Sequence, residues 1–99
     1  MAQRKVLLEN DRVKVMEVRI PPGDKLPEHS HPSYVTYAIN PAKVRFTFPD
    51  GSDRVAELVK GNAVYSEGTT HEVENIGTTE LVSLEIELKV VSALNFDGI

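Results

Sequence analysis

Apolar and polar residues alternate along much of this chain, with the period of two expected for β-strands that bury one face. The alternation is clear in residues 43–48, where Val44, Phe46 and Phe48 share one face. It runs longest in residues 80–91, where valine, leucine and isoleucine occupy one face. Ser83, Glu85, Glu87 and Lys89 occupy the other. The pattern therefore favours strands, and no segment shows convincing helical periodicity.

Turn-forming residues divide the chain into eight or nine short strands. Proline, glycine, asparagine and aspartate cluster between the apolar segments, and Pro49-Asp50-Gly51 is typical of a hairpin turn. The predicted strands are residues 5–8, 12–20, 28–31, 33–40, 43–48, 54–59, 63–66, 71–76 and 80–91. Residues 92–99 form a tail with weak signals. Short strands with regular turn signals predict an all-β sandwich or barrel, as one domain over residues 1–99.

Composition and charge exclude several classes of function. The chain has 99 residues and a formal net charge of −4, so nucleic acid and anionic membranes are unsuitable partners. No apolar run approaches the roughly 20 residues that span a bilayer. The amino-terminal segment lacks the apolar core and cleavage site of a signal peptide. Cysteine is absent, which excludes disulfides and thiolate chemistry, and a cytoplasmic protein is the expectation.

The three histidines of the chain form a candidate metal site. His29 and His31 are two residues apart, so in an extended segment both imidazoles point to the same face. His71 lies on a distant predicted strand and would complete the set. Imidazole is a suitable ligand for zinc, copper, iron and nickel. Although a single histidine on a strand is usually a surface residue, this grouping predicts that His29, His31 and His71 bind a metal ion.

The spacing around these histidines resembles the two motifs of the cupin superfamily. Gly23 is followed after five residues by His29-Ser30-His31, and Gly68 by the pattern Gly-x-x-His71-x-x-x-Asn75. The resemblance covers about residues 9–89 and implies a cupin jelly-roll barrel, the double-stranded β-helix of RmlC-like proteins. The segments 9–13 and 85–89 are similar to small single-domain bacterial cupins, including those named for β-alanine degradation.

Two departures from the cupin motifs bear on the chemistry. The first motif usually supplies a glutamate ligand four or five residues after its second histidine, where this chain has Val35 and Thr36. The second motif usually opens with glycine, five residues and Pro-x-Gly, whereas the segment after Gly61 is one residue shorter and lacks the proline. Glu28 and Glu67 flank the histidine segments. We expect both to be solvated, and the alternative is that one of them reaches the metal as a substitute carboxylate. Without a carboxylate ligand, a divalent ion keeps its full charge and favours anionic ligands.

Strand parity predicts which side chains share the interior with the histidines. If His71 points inward, Val73 and Asn75 do as well, while Glu72 and Glu74 face solvent. If one strand continues through Pro32, the residues with the parity of His31 are Val35, Tyr37 and Ile39. Val44, Phe46 and Phe48 would form an apolar wall, and at least two of Val35, Phe46 and Phe48 are expected to be ordinary core residues. For Tyr34 and Tyr37 the alternatives are a hydrogen-bond donor near the metal and an ordinary core or rim residue.

These observations predict a metal-binding cupin that acts on a small anionic metabolite. The resemblance implies a divalent ion, with Fe(II) as first choice and zinc, nickel, copper or manganese as alternatives, and a dioxygenase-like reaction. One alternative is a non-enzymatic metabolite-binding module. Another is a zinc-dependent isomerase or hydrolase, against which the absence of an obvious general base counts. No catalytic residue is assigned. A homodimer is expected, through residues 80–91 and the tail that contains Phe96 and Ile99.

Overall fold

Nine antiparallel strands form the part of the chain that the computed structural model describes, residues 1–89. The end of predicted strand 80–91 and the tail 92–99 lie outside it. The strands are β1 (Gln3–Glu9), β2 (Val13–Ile20), β3 (Lys25–His31), β4 (Tyr34–Ala38), β5 (Ala42–Thr47), β6 (Asp53–Leu58), β7 (Ala63–Ser66), β8 (Thr69–Asn75) and β9 (Leu81–Leu88). Within residues 1–89, no helix has the length and apolar character needed to cross a membrane.

The strands form two facing sheets, which confirms the predicted all-β barrel. One sheet has the order β1-β2-β9-β4-β7, and the other has the order β3-β8-β5-β6. The predicted hairpin joins β5 and β6, and Gly51 adopts φ +88°, which glycine accepts without a steric penalty. β3 begins earlier than predicted because Pro27 lies at a register shift between Leu26 and His29, where a missing N–H is tolerated.

The apolar core lies at one end of the space between the sheets. Its buried members come from five strands and are Val18, Ile20, Leu26, Ala42, Val44, Val73 and Leu81. Asn75 is fully buried beside them, and its side-chain amide donates hydrogen bonds to the carbonyl oxygens of Ile20 and Thr79. Its Oδ1 accepts from the N–H of Gly77. Asn75 therefore connects the end of β2 with the turn before β9, and its side-chain hydrogen bonds are all made within the protein.

β9 places its polar face inside the barrel. Ser83, Glu85 and Glu87 are buried, whereas Leu84 and Ile86 are half-buried on the outer face of the five-stranded sheet. The register explains this placement, because Glu85 lies opposite the inward-facing pair Met16 on β2 and Thr36 on β4. The centre of this barrel therefore contains two carboxylates, although the opposite face of the same strand is apolar.

The shared parity of Val35, Tyr37 and Ile39 with His31 depended on one strand continuing through Pro32, and that condition is not met. Tyr34 and Ala38 are buried, whereas Tyr37 and Ile39 are exposed. The chain leaves the four-stranded sheet after His31 and enters the five-stranded sheet at Tyr34, so the alternation does not continue through Pro32. The parity predicted for β8 is confirmed, since His71, Val73 and Asn75 are buried and the intervening glutamates are not.

Candidate metal centre

The pairing of β3 with β8 brings the three histidines together. His29 lies directly opposite His71 in the register, and His31 is two residues further along the same face of β3. The distances between ring centroids are 4.7 Å for His29–His31, 4.9 Å for His29–His71 and 5.1 Å for His31–His71. One ligand nitrogen from each ring lies within 4.8 Å of the others. Two nitrogens on one ion are at most about 4 Å apart, so small side-chain rotations are enough for binding.

Hydrogen bonds at Nδ1 leave Nε2 of two rings available as the ligand atom. Nδ1 of His29 donates to the carbonyl oxygen of Pro27 at 2.8 Å, because a carbonyl can only accept. Nδ1 of His31 lies 2.7 Å from Oε2 of Glu87, to which it donates. Nε2 is buried in all three histidines and has no hydrogen-bond partner within residues 1–89. Buried nitrogens without a partner, two of them with a fixed tautomer, are the arrangement usual for histidines that bind a metal ion.

Aromatic side chains hold two of the imidazoles in place. The ring of Tyr34 stacks on His31 with centroids 4.3 Å apart, and the ring of Phe46 stacks on His71 at 5.1 Å. Gly68 allows the turn before β8 to approach, because a Cβ there would lie only 3.0 Å from the carbonyl oxygen of His31. Of the two tyrosines expected near the metal, Tyr34 is at the cluster and Tyr37 is exposed on the outer face.

Three further charged residues surround the cluster, and no motif signals them. Glu87 bonds to His31, and Oε2 of Glu85 lies 4.0 Å from Nε2 of the same histidine. The guanidinium of Arg4 on β1 is 3.5 Å from Glu85 and 3.6 Å from Glu87. A carboxyl group able to accept a proton thus lies beside the histidines, contrary to the expectation that none does. In contrast, Glu28 and Glu67 are exposed.

Burial shifts the pKa values of this cluster in opposite directions. It lowers the pKa values of His29 and His31, and together with the other two histidines it lowers the pKa of His71 to about 4. Burial raises the pKa of Glu85 to about 7. Since the charged form of each group is disfavoured, the imidazoles are neutral near pH 7 in the metal-free protein. A neutral imidazole is the form that binds a metal ion.

The lowered histidine pKa values predict how the metal-free protein responds to acid. The unfolded chain takes up protons at histidine near pH 6.5 and the folded chain at lower pH, so the free energy of unfolding should decrease as pH falls below 6.5. Glu85 acts oppositely, because stability due to its raised pKa is lost as pH rises from 4.5 through 7. In Glu85→Gln protein, we expect His71 alone to contribute a decrease of about 2 kcal/mol between pH 6.5 and 5. Urea unfolding at pH 6.5 and pH 5 measures this decrease in the free energy of unfolding. Equal stability at both pH values would contradict the lowered histidine pKa values.

A cavity of about 330 Å³ extends from His71 towards the core. His71, Tyr34, Thr36 and Glu85 contribute to its wall at the cluster end, and the predicted apolar wall of Val44, Phe46 and Phe48 is confirmed. Thr36 therefore faces the cavity at a position where cupin motifs carry glutamate. Its cross-strand partner is Glu85. The adjacent strand therefore places a carboxylate beside this position.

Two antiparallel sheets closed around a histidine cluster define a small double-stranded β-helix protein. The chain is 35% identical to a cupin domain from Bordetella pertussis Tohama I, covering 90% of this chain and 94% of that one, with a TM-score of 0.82. This protein therefore belongs to the cupin superfamily. No protein-family model and no curated protein matches it.

More distant structures share the fold. A double-stranded β-helix protein from Klebsiella pneumoniae is 21% identical, with a TM-score of 0.71 over 89% of this chain and 76% of that one. An RmlC-like cupin from Methanocaldococcus jannaschii is 18% identical, with the same TM-score over 90% and 81%. These two likenesses support the architecture alone.

Proposed function

We propose that this cupin binds a divalent metal ion through Nε2 of His29, His31 and His71, and that a small anionic metabolite is oxidised there with dioxygen as the oxidant. The observation that supports it most is the convergence of three buried Nε2 atoms without a partner in the described part of the chain. Three neutral imidazoles suit late first-row divalent ions, and we propose Fe(II). When bound, such an ion supplies a redox-active Lewis acid with open coordination positions.

The surrounding residues orient and shield this site. Glu87 and the carbonyl of Pro27 fix two tautomers, so that Nε2 carries the lone pair. Tyr34 and Phe46 limit rotation of two rings through stacking. The cavity is lined mainly by apolar side chains, which would exclude water around the body of a bound metabolite. Together these features favour a small molecule with an apolar body and one charged group.

Arg54 is the residue that we propose recognises the anionic group. It lies opposite Phe46 in the β5–β6 pair, contributes to the cavity wall and places its guanidinium 5.7 Å from the centre of the Phe46 ring. Phe46 in turn stacks on His71, so the cation lies near the cluster. Within residues 1–89, no carboxylate forms an ion pair with Arg54. A guanidinium presents a fork of donors that matches a carboxylate.

Anion recognition can be tested by titrating metal-loaded, oxygen-free protein with small carboxylates and their neutral amides. We expect carboxylates to bind and amides to fail, and Arg54→Gln to weaken carboxylate binding about tenfold, equivalent to about 1.4 kcal/mol. The matched control is Arg45→Gln, because Arg45 pairs with Asp53 and Glu74 instead of lining the cavity. Calorimetry measures the affinities. Equal affinities in all three proteins, or equal binding of amides, would contradict the proposal.

Elemental analysis of protein purified without added metal tests the chemistry. About one equivalent of iron supports the oxidation, whereas one equivalent of zinc would favour Lewis-acid isomerisation or hydrolysis. Protein that stays metal-free, and that fails to take up Fe(II) when it is supplied, would favour a metabolite-binding module without catalysis.

A further inference from the structure

We propose that Glu85 is a fourth ligand of the metal centre, so that one carboxylate oxygen joins the three imidazole nitrogens. The proposal rests on the proposed function, since it requires that the histidines bind a metal. It adds a ligand that comes from β9 and belongs to neither histidine motif. Two observations carry the assignment, one geometric and one electrostatic.

The geometric observation is that two lone pairs face one another across a short distance. The side chain of His31 is fully buried, and its Nδ1 donates to Glu87, so its Nε2 carries a lone pair. Oε2 of Glu85 lies 4.0 Å from that nitrogen. This separation is too long for a hydrogen bond but close to the span of two ligand atoms on one ion with bonds of about 2.1 Å. A cation between the two atoms would stabilise both. The Glu85 oxygen lies within 4.8 Å of ligand atoms of His31 and Glu87 but does not group with all three imidazoles, so Glu85 would rotate towards the ion on binding.

Glu87 does not compete for this role. Its Oε2 accepts the hydrogen bond from Nδ1 of His31 at 2.7 Å, on the opposite side of the imidazole from Nε2. Ligating histidines usually donate their other N–H to such a partner. The two glutamates of β9 therefore have distinct positions: Glu87 orients His31, and Glu85 faces the atom that binds the metal.

The electrostatic observation is a shortage of positive charge around the two carboxylates. Glu85 and Glu87 are 7% and 9% exposed, and both lie against the single guanidinium of Arg4. Among residues 1–89, Arg4 is the only cation that pairs with either of them. With one cation for two buried carboxylates, ionisation of both glutamates is costly in a protein interior. A divalent ion held by Glu85 and the histidines supplies the missing charge.

Cobalt(II) binding to purified, metal-free protein tests this assignment. We expect Glu85→Gln to weaken Co(II) affinity at least tenfold and to change the visible ligand-field spectrum. Glu85→Asp should weaken it similarly, because the shorter side chain withdraws its oxygens from the ion although it keeps the charge. The matched control is Ser83→Ala, which lies two residues away on the same buried face and should bind Co(II) as the wild type does.

A measurement on the wild type keeps the test independent of how the variants fold. The infrared difference spectrum between metal-bound and metal-free protein should show one carboxylate whose stretching bands shift on coordination. Glu85→Gln and Glu85→Asp affinities within twofold of wild type, or no shifted carboxylate band, would overturn the ligand role. A wild type that binds no Co(II) would instead overturn the metal-binding function itself, so the two failures are distinguishable.

Discussion

Replacing His71 with alanine is expected to remove most of the bound metal, and to do so as severely as His29→Ala or His31→Ala. Each ring supplies one of three converging Nε2 atoms, and His71 comes from the strand opposite the other two. Losing an outer partner of a ligand typically reduces metal affinity 10–100-fold, and we expect losing a ligand to exceed roughly a hundredfold. Elemental analysis and competition with a chelator measure the loss.

The control for this experiment is Glu72→Ala. Glu72 neighbours His71 on β8 but points to the other face, where it bonds to Lys25. Glu72→Ala deletes a carboxylate next to His71 in the sequence, and the metal content should stay unchanged. Circular dichroism establishes that each variant is folded. A folded His71→Ala protein with full metal content would remove His71 from the ligand set.

The histidine cluster could be predicted from sequence because its geometry is local in two respects. His29 and His31 share a face in any extended segment, and each histidine segment carries a recognisable spacing from a glycine. The long-range step, the pairing of β3 with β8, needed only the resemblance to a known barrel. The strand count was predictable for a similar reason, since glycine, proline and asparagine mark the turns.

The carboxylates were not predictable, because alternation defines two faces of a strand without deciding which one lies inside. In β9 the apolar residues Leu84 and Ile86 face outward, and Glu85 and Glu87 are buried inside the barrel. Their placement depends on tertiary neighbours, including Arg4, which is far away in sequence. The exposed position of Tyr37 has a related cause. Parity holds within one strand, and the chain changes sheets after His31.

The outward apolar face of β9 supports the expectation of a homodimer. A continuous row crosses all five strands of the larger sheet, one residue from each strand in direct register: Leu8, Val15, Ile86, Val35 and Tyr65. Leu8 and Tyr65 remain 52% and 55% exposed. With strands about 4.8 Å apart, the row is roughly 19 Å wide. An apolar row of this kind can pack against its own copy across a two-fold axis, which makes the interface self-complementary.

Light scattering of the wild type at tens of micromolar should therefore give twice the mass of one chain. The Val35→Lys variant should give the mass of a single chain. A lysine at the centre of the row places a charge in both halves of the interface, with no partner to compensate it. Val55→Lys is the matched control, since Val55 is 48% exposed on the other sheet and pairs with Arg45. Truncation after Lys89 shows whether the last ten residues are needed. A monomeric wild type would refute the dimer, and a dimeric Val35→Lys protein would place the interface elsewhere.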